Sequence, residues 1–183
     1  MGELEIYFDH TRQGPITEQR FLQEEQRYVE LFYRLWAKSK VTIYTNLHDK
    51  EIAYIKQPLT PNEINLLDQI IQKTKPKDLD DWYSFVDSNR LDEIDLLVRL
   101  TLRDKISTCF IFPSIKTVLW SNGLCYSVYL GDLSSASLLQ LLCTTNGIYL
   151  NSNPQNQQKL LGLFQGAFVS SKHLSKMMHN SGR

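Results

Sequence analysis

The chain has 183 residues, 42% of them hydrophobic and 22% charged, and its twenty Lys/Arg are balanced by twenty Asp/Glu. That size fits one domain, read here as a single unit over 1–183, and the composition excludes an intrinsically disordered chain. Zero net charge argues against nucleic acid or membrane held mainly by bulk electrostatics, and it leaves self-association unopposed by charge repulsion.

The charge is unevenly placed. Residues 1–106 carry 15 of the 20 Lys/Arg and 19 of the 20 Asp/Glu, so Asp132 is the only acid beyond residue 106. A carboxylate pair for acid–base or metal chemistry therefore cannot come from residues 107–183. That acid-poor part, with the apolar runs Cys109–Phe112, Leu124–Leu130 and Leu138–Cys143, is expected to complete the core begun by the charged, helix-rich part, or to form a surface that something else covers. Met1-Gly2-Glu3-Leu4-Glu5 lacks a basic region followed by an apolar one, so no signal peptide is expected. No apolar run approaches the roughly 20 residues of a membrane span. Cys109, Cys125 and Cys143 are odd in number and set among apolar residues, which predicts buried reduced thiols and a cytoplasmic setting.

Leu4–Phe8 reads as a first strand. Gln13-Gly14-Pro15 turns the chain, and Thr17 is placed to cap a helix running to about Lys38, with Phe21, Leu22, Tyr28, Val29, Phe32, Leu35 and Trp36 at helical spacing. Val41–Thr45 and Ile52–Gln57 read as a hairpin around Asn46–Glu51. Thr60-Pro61-Asn62-Glu63 is a helix start with a capping box, and Ile64, Leu67, Ile70 and Ile71 form the buried stripe behind it. Asp78–Val86 and Leu91–Arg103 are predicted helices. Ser107–Phe112 is a strand stopped by Pro113, and Lys116–Trp120 and Leu124–Leu130 form a hairpin about Ser121-Asn122-Gly123. Asp132 then caps a helix over Leu133–Cys143 that ends at Thr144-Thr145-Asn146-Gly147. Ile148–Leu150 is a short strand, and two helices follow, from Asn153-Pro154 to about Phe168 and from Ser170 to Met178. The expected fold is α+β: a mostly antiparallel sheet, with mixed pairing left open, two hairpins and about six covering helices.

Three constellations could carry function. Asp9 and His10, at the end of the first strand, could join Asp78, Asp80 and Asp81 around a hard divalent ion, with Asp92 and Asp95 or His48 and Asp49 as further donors. Their spacing matches no known metal motif, and acids at 78–81 and 92–95 are explained by the dipole of a helix's first turn. No Gly-x-Ser-x-Gly elbow or phosphate-binding glycine loop occurs. Tyr44 and Tyr54, with Thr42 and Lys56, could stack bases, but with Glu51 close by and no arginine cluster the pair reads better as a cross-strand contact. Lys172, His173, Met177 and Met178 mark a terminal helix whose Leu174/Met side docks on its own domain or on a partner. The expectation is therefore a non-catalytic protein–protein interaction module without cofactor or resident metal, an accessory or immunity/antitoxin-type protein of a microbial system. Its partner would be another protein or a second copy, not a membrane or nucleic acid. The rival is a divalent-metal-dependent nuclease or hydrolase built on Asp9, His10 and the acids Asp78, Asp80 and Asp81.

Overall fold

The computed structural model describes residues 3–6, 18–75, 84–121 and 126–153. They form β1 (Glu3–Ile6), α1 (Glu18–Trp36), β2 (Thr42–Thr45), α2 (Ile52–Lys56), α3 (Pro61–Lys73), β3 (Thr74–Lys75), β4 (Ser84–Val86), α4 (Leu91–Leu102), β5 (Thr108–Phe112), β6 (Thr117–Ser121), β7 (Tyr126–Leu130), α5 (Leu133–Thr145) and β8 (Leu150–Asn153). Short 3-10 turns lie at Leu47–Asp49 and Pro113–Ile115. The eight strands make one open sheet in the order β3-β4-β2-β5-β6-β7-β1-β8. Every pairing described is antiparallel, which settles the mixed alternative. The fold is α+β, and β1 of the charged part lies between β7 and β8 of the acid-poor part, so both parts build one sheet. β7 lies inside it, between β6 and β1, so its apolar stretch is paired on both sides.

Alternation along the strands creates two faces. On one, Ile43, Phe110, Phe112, Leu119, Tyr126, Val128 and Leu130 meet side chains from all five α-helices. Phe32 of α1 sits at the centre of this core, 4.6 Å from the Phe110 ring, 5.3 Å from Tyr126 and 6.2 Å from Phe112. Edge-on and tilted aromatic pairs of this kind add about 0.5–1.5 kcal/mol each beyond their area burial. On the other face, Cys109, Ile111, Val118, Trp120 and Tyr129 form a second cluster with Tyr44 against it. Residues of β5 and β6 are buried at every position, which is why Cys109–Phe112 reads as a continuous apolar run and not as an alternation.

Local chemistry accounts for several boundaries. Thr60 and Glu63 exchange the bonds of a capping box, Glu63 N–H donating to Thr60 Oγ1 and Thr60 N–H donating to Glu63 Oε2 at 2.8 Å. α5 ends in a Schellman arrangement: Ile148 N–H donates to Cys143 O at 2.9 Å and Gly147 N–H to Thr144 O at 3.1 Å. Gly147 takes φ +68°, a conformation open to glycine and costly for other residues.

Three expected elements are corrected. Ile52–Lys56 is a helix, not the second strand of a hairpin; Tyr54 and Ile55 N–H both donate to Glu51 O, and Ile52 and Ile55, three apart, both reach the core. Five residues with apolar positions at Ile52, Tyr54 and Ile55 satisfy either period, and burial of Ile55 decides between them. β2 pairs instead with β4 and β5. Ser84–Val86 is a strand, where a helix over Asp78–Val86 was expected; the pairing of Phe85 with Tyr44 and of Val86 with Ile43 outweighs local helical spacing. The last short strand lies at Leu150–Asn153 and not at Ile148–Leu150, and the two expected C-terminal helices lie outside the described residues. Among the described residues, no helix is long and apolar enough to cross a membrane.

Candidate interaction surface

Charged side chains concentrate between α1, α3 and α4, where they are engaged in pairing. Glu25 of α1, with no exposed surface, accepts from Arg99 Nη1 at 2.7 Å, Arg103 Nε at 2.7 Å and Arg103 Nη2 at 2.9 Å. Arg99 Nε also donates to Asp95, which accepts from Tyr33 Oη at 2.8 Å. Burial and that bond to Asp95 push the Tyr33 phenol up to about 12. Lys73 Nζ holds the buried Glu93 at 2.6 Å. These contacts clamp α1 and α3 to α4, and the carboxylates already hold cations of the chain itself. Asp92, in the first turn of α4, is bonded to Arg90 and to the Glu93 N–H, the helix-start role expected of it.

α5 is different in kind. Asp132 caps it, accepting from Ser135 Oγ at 2.6 Å, Ser135 N–H at 2.8 Å and Ser134 Oγ at 2.8 Å, with Lys116 Nζ 3.0 Å away. The bonds from Ser135 first, then those from Ser134 and Lys116, hold the Asp132 carboxyl well below the usual carboxylate range. From Leu133 to Asn153 the chain has no Asp, Glu, Lys or Arg. Leu139, Leu142 and Cys143 turn into the core, yet Leu133 is 79% exposed, Leu141 60% and, just past the helix, Tyr149 81%. At about 100° per residue, Leu133, Ser137, Leu141 and Thr144 fall within about 80° of helix circumference. The outer face of α5 is thus an uncharged stripe of leucines and small hydroxyls that ends at an exposed tyrosine. Solvent carries an unfavourable apolar contact there that a complementary surface would remove.

The residues singled out in the sequence fare unequally. Asp9, His10, Asp78, Asp80, Asp81, Lys172, His173, Met177 and Met178 lie outside the described residues. Tyr44 and Tyr54 are not a cross-strand pair. Tyr44 is on β2 with its ring 5.8 Å from Phe85, whereas Tyr54 is exposed on α2 with Lys105 Nζ 3.6 Å above its ring. Lys56 is 2.6 Å from Asp68 of α3, and no shared stacking platform forms. Among the described residues no group of three or more His, Cys, Asp or Glu could hold a metal ion. Cys109 and Cys143 are buried free thiols, each pushed up to about 12 by that burial, which leaves them protonated and inert near neutral pH. The α5 stripe itself was legible only as a surplus: Leu133, Leu138, Leu139, Leu141 and Leu142 are more leucines than one buried face of a short helix needs.

These features define an α+β protein whose helices pack on an open antiparallel sheet and whose last described helix presents an uncharged, partly apolar side to solvent. No protein-family model matches the chain, and no curated protein or solved structure matches it either.

Proposed function

We propose that this chain is a non-catalytic protein–protein interaction module, an accessory or immunity/antitoxin-type protein that acts by covering a partner's active surface. The observation that carries the reading is the α5 stripe, Leu133, Leu141 and Tyr149 exposed with no charge between them. Aromatic and large aliphatic anchors in an uncharged patch are what the desolvated centre of a protein interface requires. Glu25 of α1 and Asp92, Glu93 and Asp95 of α4 each hold a cation of the chain itself, which weighs against a carboxylate site there. A cytoplasmic setting belongs to the same reading, supported by the reduced, buried Cys109 and Cys143.

The test compares wild type with Leu141→Asp and Tyr149→Ala. Affinity purification of the wild-type chain from its host should bring down one stoichiometric protein. Either substitution should weaken that complex by about tenfold or more, the cost of removing an interface anchor. Because both side chains point to water, thermal stability should stay within about 0.5 kcal/mol. A partner that is toxic alone and neutralised by the wild type would identify the immunity class. Undiminished binding by both variants would refute the α5 surface.

A further inference from the structure

Four buried hydroxyls gather within the main core, between the sheet and α4. Thr45 of β2 is the register partner of Thr108 of β5, and alternation puts both on the face of Ile43 and Phe110. Thr101 of α4 meets them from the helix layer, its Oγ1 lying 2.8 Å from Thr108 Oγ1. Tyr126 starts on β7, two strands from β5, yet its hydroxyl reaches the same place. Burial raises the Tyr126 phenol above its ordinary range, and the neighbouring Thr101 and Thr108 hydroxyls only partly offset that rise. None of the four residues has any exposed surface.

Each hydroxyl has one proton to donate. Thr101 Oγ1 gives its proton to Leu97 O at 2.7 Å, so in its contact with Thr108 it accepts and Thr108 donates. Two protons remain. Tyr126 Oη and Thr45 Oγ1 are buried with no hydrogen-bond partner among the described residues. Few native hydroxyls bear that condition, because a buried donor left unmet forfeits its hydration for nothing. We propose that one internal water molecule binds here, accepting from Tyr126 Oη and Thr45 Oγ1 and donating to Thr108 Oγ1. Three bonds are what a buried water ordinarily makes. The surroundings define the ligand class. The four residues carry no charge, and the rings of Phe32 and Phe110, 5.3 and 6.5 Å from that of Tyr126, offer none, so an ion of either sign would be desolvated without compensation. A small neutral molecule that both accepts and donates satisfies every group. Such a water ties β2, β5 and β7 together beneath α4, and the inference is independent of the α5 reading.

Oxygen-17 relaxation dispersion counts long-lived internal waters without interference from hydroxyl protons, and it tests the site in the full-length chain. Thr45→Val combined with Tyr126→Phe keeps the shape of both side chains and removes both donors. The double variant should hold about one fewer long-lived water than the wild type. A second readout is the stability of the single variants. Removing one donor leaves the water short of a partner, so each should raise the unfolding equilibrium constant by ~5-fold or more. Dry, unpaired hydroxyls would give the opposite sign, since their removal relieves an unmet group. A water count that does not fall in the double variant, or an unfolding constant that holds or drops in either single variant, would overturn the proposal.

Discussion

Glu25 lies without exposed surface between Arg99 and Arg103, and the three bonds it accepts join α1 to the last turn of α4 and to the residue that follows it. Its desolvation is compensated only while both guanidinium groups stay in place, because a buried charge left without its partner costs several kcal/mol. Glu25→Ala removes the acceptor, leaves the partly buried Arg103 without its carboxylate and Arg99 with Asp95 alone, and should lower unfolding free energy by about 3 kcal/mol in a denaturant titration. Lys56, paired with Asp68 at 2.6 Å in a solvent-reached position, provides the contrast. Screening and side-chain entropy limit that pair, so Lys56→Ala should cost no more than about 1 kcal/mol. Equal losses from the two substitutions would show that the α1–α4 clamp does not hold the helices together.

At the scale of elements, α5 depends on its two ends. Asp132 holds its proton less tightly in the folded chain than in the unfolded one, because Ser135, Ser134 and Lys116 favour the carboxylate. The unfolded state therefore binds more protons in the acid range, and stability rises with pH there. Asp132 should contribute fully above about pH 4, the ordinary carboxylate range, and its contribution should fade as acid drives the pH below that. Asp132→Asn keeps a capping acceptor without the ionisation, so its acid-limb stability should be flatter than that of the wild type. Parallel acid limbs would exclude Asp132 as the source. At the other end, Gly147→Ala forces a side chain into φ +68° and should cost about 1–2 kcal/mol by thermal or chemical unfolding, whereas a loss near zero would show that the Schellman turn relaxes. Both ends were readable from sequence, as was the Thr60–Glu63 box, because capping is a dialogue between residues three or four apart. Ile52–Lys56 and Ser84–Val86 were misread for the converse reason. Their states are set by what they touch across the fold: the core for Ile55, and Ile43 and Tyr44 for Val86 and Phe85. The candidate surface was half legible. The absence of charge over residues 133–153 is visible in the sequence, but which leucines face outward depends on how α5 docks on the sheet.

At the scale of the whole molecule, an even balance of charge conceals a division of labour. The charged side chains of α1, α3 and α4 pair with one another, and α5 carries no charge. Two kinds of interface are therefore available, and ionic strength separates them. A partner held on the α5 stripe meets no charge there, and the Debye length shrinks from about 10 Å at 0.1 M salt to about 3 Å at 1 M without a charge pair for that screening to weaken. Its Kd should then change by less than ~3-fold between 0.05 and 0.5 M NaCl, as expected when contact is apolar and electrostatic steering is weak. Contact through the outer sides of α1, α3 or α4 would behave oppositely, since rim charges set association rate and salt dependence. Affinity measured by calorimetry over that salt range, with Leu141→Asp as the reference, decides between them. A salt-insensitive wild type together with a weakened Leu141→Asp places the partner on α5. A loss of affinity by ~10-fold or more with salt, unaffected by Leu141, would move it to the charged helices.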